Sequence, residues 1–361
     1  MHHGDQQSGD LAARFRRLIR NHGPLPVTRY MGESNAHYYA TRDPLGSAGD
    51  FVTAPEVSQM FGEFVGLWLA DLWSRASPPV EPIYVELGPG RGTLARDVLR
   101  TLNRFGMKPQ VHLVEGSPTL RGIQTSAIPD AQFHDSLDTV PRDGPWLLVA
   151  NEFLDALPIH QLVKAVGGWR ERMVALDGEE FTFIAGPQPL DAIVPDVFGR
   201  DPPGTVVETS PAAAAILRDV AQHLVVKGGA GLWIDYGHLK PRTGSTLQAV
   251  RAHQKVDALA MPGEADLTAH VDFASLVLIA RGEGTLVQTT TQGEWLGRLG
   301  LDVRADKLKA SAPDKAEEVE AARHRLTDPE EMGELFKVMA LTGAGWPEGA
   351  GFTDEGQPTD A

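Results

Sequence analysis

The sequence predicts an open α/β sheet, on three observations: short continuous apolar runs, helical stretches between them, and a glycine-rich turn closing the first run. Continuous apolar runs imply strands covered on both faces, and intervening helices supply that cover, as in a parallel sheet. Ahead of the first run, Leu11, Phe15, Leu18 and Ile19 recur at helical spacing among Arg14, Arg16, Arg17 and Arg20. Asp5 and Asp10 precede this stretch and Asn21-His22-Gly23-Pro24 ends it, which predicts a short domain helix rather than an organelle-targeting segment. Ile83–Leu87 is the first strand, with a helix from Thr93 to Phe105 after it. Val111–Glu115 is the second, and Ser117-Pro118 then opens a helix with a cap residue and a proline in its first turn. Trp146–Ala150 and Gly231–Tyr236 are the third and fourth, the latter preceded by a helix from Pro211 to about Val226. Leu335–Leu341 is a final strand.

Two regions break the rhythm. Residues 159–210 carry Trp169–Val174 and Phe181–Ile184 before a proline-rich stretch, and read as a β-rich antiparallel insertion. Residues 239–310 read as loop-rich and then helical, with turn residues at Pro241, Gly244, Pro262 and Gly263. The expected division is therefore an N-terminal helical segment over 1–78, a core over 79–158 and 211–342, the insertion over 159–210, and a disordered tail over 343–361.

Composition narrows the functional classes. Of 361 residues, 48 are acidic and 33 basic, a net charge of −15, which disfavours nucleic acid and anionic membranes as partners and suits a basic protein segment. The chain has no cysteine, so disulfides, cysteine-ligated metals and thiol nucleophiles are excluded. No stretch reaches the ~18 apolar residues that a membrane-spanning helix requires.

The sharpest local signal is Glu86-Leu87-Gly88-Pro89-Gly90-Arg91-Gly92-Thr93, directly after the first strand. Glycines let backbone turn tightly against a ligand, and amides at the following helix start can hold an anionic group. A nicotinamide dinucleotide fits poorly, because its fingerprint needs a glycine where Thr93 stands. Glu86, two positions before Gly88, would repel a pyrophosphate but suits a ligand with an ammonium and a sulfonium. S-adenosylmethionine has both, with a carboxylate for the loop amides. Glu115, at the end of the second strand, is placed to accept ribose hydroxyls, and Asp135 is the candidate acceptor for an adenine amine. A plain glycine turn with exposed carboxylates is the alternative meaning of these residues.

Asn151-Glu152-Phe153-Leu154-Asp155-Ala156-Leu157-Pro158 follows the third strand, at the same carboxyl edge. A guanidinium stays protonated at any accessible pH, so its attacking lone pair must be uncovered during reaction. A close carboxylate such as Glu152 can grip the guanidinium fork and receive the proton late, with Asn151 offering a carbonyl and Asp155 a second acid. A helix cap and a surface acid is the plainer alternative. Asp235, Tyr236 and His238 follow the fourth strand and should reach the same edge, as substrate contacts or a proton relay. His270 is a further substrate-contact candidate; with Asp272 it suggests a polar pair on one side of an extended segment and makes a poor metal site, so no metal is expected.

Gly49–Glu63, Glu86–Thr93 and Asn151–Pro158 together resemble the MidA family, and Asp235–His238 and Gly263–Phe273 look like further blocks of it. The resemblance runs from about residue 10 to 341. It is a family of S-adenosylmethionine-dependent protein arginine methyltransferases that includes a mitochondrial complex I assembly factor. The resemblance implies a Rossmann-like class I methyltransferase core with seven strands, an N-terminal helical segment covering the donor site, and a substrate-side insertion. It implies that Gly49–Glu56 folds over the donor, with Thr53 and Pro55 in contact, although Ala54-Pro55-Glu56 by itself is merely a helix start. The implied partner is a protein with an accessible arginine, such as a respiratory complex I subunit, in the cytoplasm of a bacterium or the matrix of a mitochondrion. Two other readings stay open: an assembly factor that binds the donor and holds a partner with little catalysis, and a small-molecule methyltransferase.

Overall fold

The apolar runs become neighbouring strands of one sheet. In the computed structural model, residues 4–41, 53–194, 196–251 and 254–353 are described. β1 (Ile83–Leu87), β2 (Val111–Val114), β3 (Gln132–His134), β4 (Trp146–Asn151), β5 (Gly229–His238), β6 (Leu286–Thr291) and β7 (Phe336–Thr342) lie in the order β3-β2-β1-β4-β5-β7-β6. β1 to β5 pair in parallel, whereas β7 runs antiparallel between β5 and β6. The winding reverses between β1 and β4, whose Leu87 and Ala150 are paired, so the residues after both strands emerge side by side. Ligands in open α/β sheets bind at that reversal, beyond the carboxyl ends.

Side chains alternate across each strand. Tyr84, Leu147, Val149, Leu232, Ile234, Val338 and Ala340 share one core with α1 (Ala54–Val57), α2 (Gln59–Ala76) and α3 (Thr93–Arg104). α4 (Pro118–Ala127) starts as its sequence predicts, with Pro118 in the first turn and the Ser117 hydroxyl accepting from the Leu120 amide. β6 was legible only as part of a loop-rich and helical region. Its Gln288-Thr289-Thr290-Thr291 stretch is polar because it forms the rim of the sheet, with no strand beyond it among the described residues.

The chain divides into two compact units, whose bounds differ from the expected ones. The sheet unit comprises residues 45–154, 215–239 and 273–361; the other comprises 1–44, 155–214 and 240–272. The expected N-terminal segment over 1–78 is therefore split: α1 and α2 belong with the sheet, whereas helices Gly4–His22 and Val27–Thr41 belong with the insertion. The cause is a separate core in the second unit. Leu11, Phe15 and Ile19 line one helical stripe, packed with Tyr30, Met31, Val174, Ala249 and Leu267. The insertion is antiparallel as expected: Gly168–Asp177 pairs with Leu25–Pro26, His160–Ala165 and Glu180–Pro189. Residues 240–272, within the 239–310 region expected as loop-rich and then helical, contain a three-stranded sheet in which Gln248–Arg251 is central.

The tail also differs from expectation. Residues 343–353 pack in the sheet unit, with Trp346 and Phe352 against its core and the Trp68 indole donating to the Ala350 carbonyl at 3.2 Å. Two aromatics anchor a stretch whose glycines and prolines resemble disorder. Residues 354–361 lie outside the described residues.

Candidate cofactor and active site

The turn after β1 is built for close approach. Gly88, Gly90 and Gly92 have φ of 61°, 55° and 76°. The Gly88 amide donates to the Val114 carbonyl at 3.0 Å, which ties the turn to the end of β2. A side chain at Gly88 would meet the Phe153 ring, since a Cβ there would lie 2.8 Å from Cδ2. Gly92 stands at the N-cap of α3 and brings no capping side chain, so the first-turn amides are available to a ligand carboxylate.

Glu115 stands one residue past β2. Its Oε1 accepts from the Ser117 amide at 2.8 Å and its Oε2 from the Gln124 amide group at 3.2 Å. Gln124 donates also to the Gly90 carbonyl at 2.6 Å. Burial raises the Glu115 pKa, and the Ser117 and Gln124 hydrogen bonds oppose that rise. Asp135 lies one residue past β3, its side chain 89% exposed, with Oδ1 2.6 Å from the Arg121 guanidinium. Arg121 also donates to the Glu115 carbonyl at 2.6 Å, so one side chain ties the two acidic positions together.

Glu86 is buried and shares its strand face with Tyr84, whose hydroxyl donates to the Glu86 carboxyl. Burial pushes Glu86 up to about 8, and the tyrosine bond offsets only part of it. As a carboxylate it would meet a ligand's ammonium, but before a ligand arrives it is mostly protonated at neutral pH.

At the end of β4 the backbone is strained. Glu152 has φ of 50°, a left-handed conformation that a side chain disfavours. Such outliers persist only where the surroundings impose them, and they cluster at functional sites. Here the Glu152 amide donates to the Ile234 carbonyl at 2.9 Å, and the next two amides, of Phe153 and Leu154, donate to Asp235 Oδ2 at 3.1 and 2.9 Å. Asp235 Oδ1 accepts from the Tyr236 amide at 3.0 Å. Asp235 thus holds the turn that presents Glu152. Glu152 Oε1 accepts from the Ala54 amide at 3.0 Å and the Asn151 side chain at 3.2 Å. Asn151 Oδ1 is buried and has no hydrogen-bond partner among the described residues.

Thr53 caps the start of α1 through its carbonyl, and Pro55 is buried in its first turn, beside the Ala54 amide that reaches Glu152. Gly49 to Val52, the front of the segment expected over the donor, lie outside the described residues. Tyr236 packs edge-on to Phe336 with ring centroids 5.6 Å apart, and His238 ends β5. Asp155 and His270 fall in the other unit. There the Asp155 carbonyl accepts from the Ala269 amide at 3.0 Å. The Arg242 guanidinium donates to His270 Nδ1 at 3.2 Å, so that nitrogen bears no proton.

The structure thus brings Glu86, Gly88, Gly90, Gly92, Glu115, Asn151, Glu152 and Asp235 to one edge of one sheet. Sequence reasoning missed Gln124, Ser117, Arg121 and Phe153. Ser117 carried a signal as a helix cap; the other three are ordinary helix and loop residues until the strands are in register.

Residues 64–291 match the Methyltransf_28 family, described as S-adenosyl-L-methionine-dependent methyltransferase. The mitochondrial protein arginine methyltransferase NDUFAF7 of Xenopus tropicalis is 36% identical, over 90% of this chain and 83% of that protein. Its Homo sapiens counterpart is 35% identical, over 90% of this chain and 81% of that protein. A crystal structure of a COG1565 superfamily member from Burkholderia thailandensis, bound to S-adenosyl-homocysteine, matches with a TM-score of 0.86 at 28% identity, covering 98% of this chain and 97% of that one.

Proposed function

Since this chain belongs to the family of S-adenosyl-L-methionine-dependent methyltransferases, we propose that it methylates a protein arginine, with Glu152 handling the guanidinium. The observation that carries this reading is the strained Glu152, held by the Ala54 amide and the Asn151 side chain, at the reversal of the sheet. The names of the relatives, protein arginine methyltransferases, support the acceptor. The residues fit the donor. A helix start with no side-chain cap suits its carboxylate, a buried acceptor at Asn151 without a partner among the described residues suits a polar hydrogen, and the prealigned Glu115 suits its ribose. Asp135, tethered by Arg121, is the proposed acceptor for the adenine amine, with Thr53 and Pro55 covering the site.

When bound, the donor supplies an electrophilic methyl group on a sulfonium. The chain's own residues align and deprotonate the acceptor. Glu152 binds one edge of the guanidinium, localises its charge away from the attacking nitrogen, and takes the proton as the new bond forms. Asn151 and the Ala54 amide hold that carboxylate in one orientation. Asp235 fixes the turn, and Tyr236 and His238 are the proposed substrate contacts of this unit.

The proposed target is a subunit of respiratory complex I, which places the reaction in the bacterial cytoplasm or mitochondrial matrix. Among the described residues no helix is long and apolar enough to cross a membrane. Mass spectrometry of cells with and without the gene tests the function: at least one methylarginine, sought first in complex I subunits, disappears with the gene. An unchanged set of methylarginines, with donor label recovered in a small molecule, would refute a protein arginine acceptor.

Glu86 gives a pH signature. Its pKa of about 8 leaves it protonated in the ligand-free protein at pH 7. An ammonium beside it favours the carboxylate, so binding expels a proton, and affinity rises with pH up to about 8, by at most roughly tenfold per unit. Calorimetry at pH 7 in buffers of different ionisation enthalpy should find wild type releasing about one proton more than Glu86→Gln. Equal proton release would take Glu86 out of the ammonium seat.

A further inference from the structure

Gln124 is fully buried on α4, yet a leucine or methionine would fill its place beside Leu120 and Ile128 without desolvating an amide. Burying an amide is costly unless its hydrogen bonds are made, and here the carbonyl half, Oε1, has no partner among the described residues. The amide half is fully used. One nitrogen donates to the Gly90 carbonyl at 2.6 Å and to Glu115 Oε2 at 3.2 Å. These two acceptors stand after different strands, on the two parts of the donor seat, the glycine turn and the ribose carboxylate. The fold has other means to join them, through the Gly88 amide and the Val114 carbonyl.

We propose that Gln124 is a positioning residue for the methyl donor: it locks the glycine-rich turn and the Glu115 carboxylate into one register, so that ribose and amino-acid ends are gripped together. This rests on the donor seat proposed above. With the Ser117 amide on Oε1 and Gln124 on Oε2, the carboxylate has a single orientation and presents its remaining lone pairs to two hydroxyls. Without Gln124 the carboxylate rotates about its last bond, and the gain from the ribose hydroxyls is lost even though Glu115 is intact.

Titration calorimetry on the full chain, with S-adenosylhomocysteine and its 2′,3′-dideoxyribose analogue, tests this. Wild type prefers the hydroxylated ligand. Gln124→Met matches the volume and is expected to weaken S-adenosylhomocysteine by about 10- to 100-fold and the dideoxy analogue far less, so the preference shrinks. Gln124→Glu is expected to bind weakly at pH 8 and to recover toward pH 5.5, where its protonated carboxyl donates again, measured against wild type at each pH. Glu115→Ala examines the seat itself: if it keeps the wild-type preference, the ribose does not lie at Glu115 and the underlying site reading fails. If Glu115→Ala loses the preference while Gln124→Met retains it, either at full affinity or with both ligands weakened equally, Gln124 has no positioning role.

Discussion

Replacing Glu152 by glutamine is expected to lower methyl transfer by about 10²- to 10⁴-fold while S-adenosylhomocysteine binds as before. Glutamine has the same shape, and its amide oxygen can still accept from the Ala54 backbone, so the strained turn keeps its anchors at Ile234 and Asp235. What is lost is negative charge and a proton acceptor. A guanidinium then has neither its counter-ion nor a destination for its proton. Single-turnover transfer to an arginine-bearing protein, beside calorimetry with S-adenosylhomocysteine, separates these effects. Undiminished transfer would remove Glu152 from the chemistry.

Gly88→Ala should abolish detectable donor binding, a fall of at least about 10²-fold, from two costs acting on one atom. A Cβ at φ of 61° is strained by roughly 1–2 kcal/mol. It also meets the Phe153 ring at 2.8 Å, an overpacking of roughly 1–3 kcal/mol. Phe153 cannot retreat as a whole, because its amide is held by Asp235, and its own Cβ and Cγ already lie 3.6 Å from the added atom. The turn must move instead, and with it the amides offered to the ligand. Adding Phe153→Leu should restore part of the affinity, since it removes the clash and leaves the dihedral cost. A double variant no better than Gly88→Ala alone would show that the contact with Phe153 does not transmit the effect.

Local pattern carried most of the sheet. Continuous runs such as Trp146–Ala150 are too short for a helix and read as covered strands, and the glycine turn marked the carboxyl edge before any strand order was known. Long-range pairing was not legible. Leu11, Phe15 and Ile19 announce an apolar stripe but not the strand Gly168–Asp177 whose Val174 shares its core. β6 escaped because a rim strand can be rich in threonine, and Trp346 was hidden among residues typical of disorder. At the site, acidic residues drew attention for their charge. Their protonation and partners depend on burial: Glu86 is raised to about 8, and Asp235 accepts from the Phe153, Leu154 and Tyr236 amides.

β7 joins the sheet between two strands that precede it in the chain. During synthesis β5 and β6 must therefore wait, each with an open hydrogen-bonding flank, until residue 342 has cleared the ribosome. Such flanks are templates for intermolecular pairing, so the nascent polypeptide passes through an aggregation-prone interval, which the insertion of β7 closes for β5 and, on one side, for β6. Messages cut short upstream of Phe336 would leave that interval permanent, making chaperone dependence and rapid proteolysis the natural fate of their products.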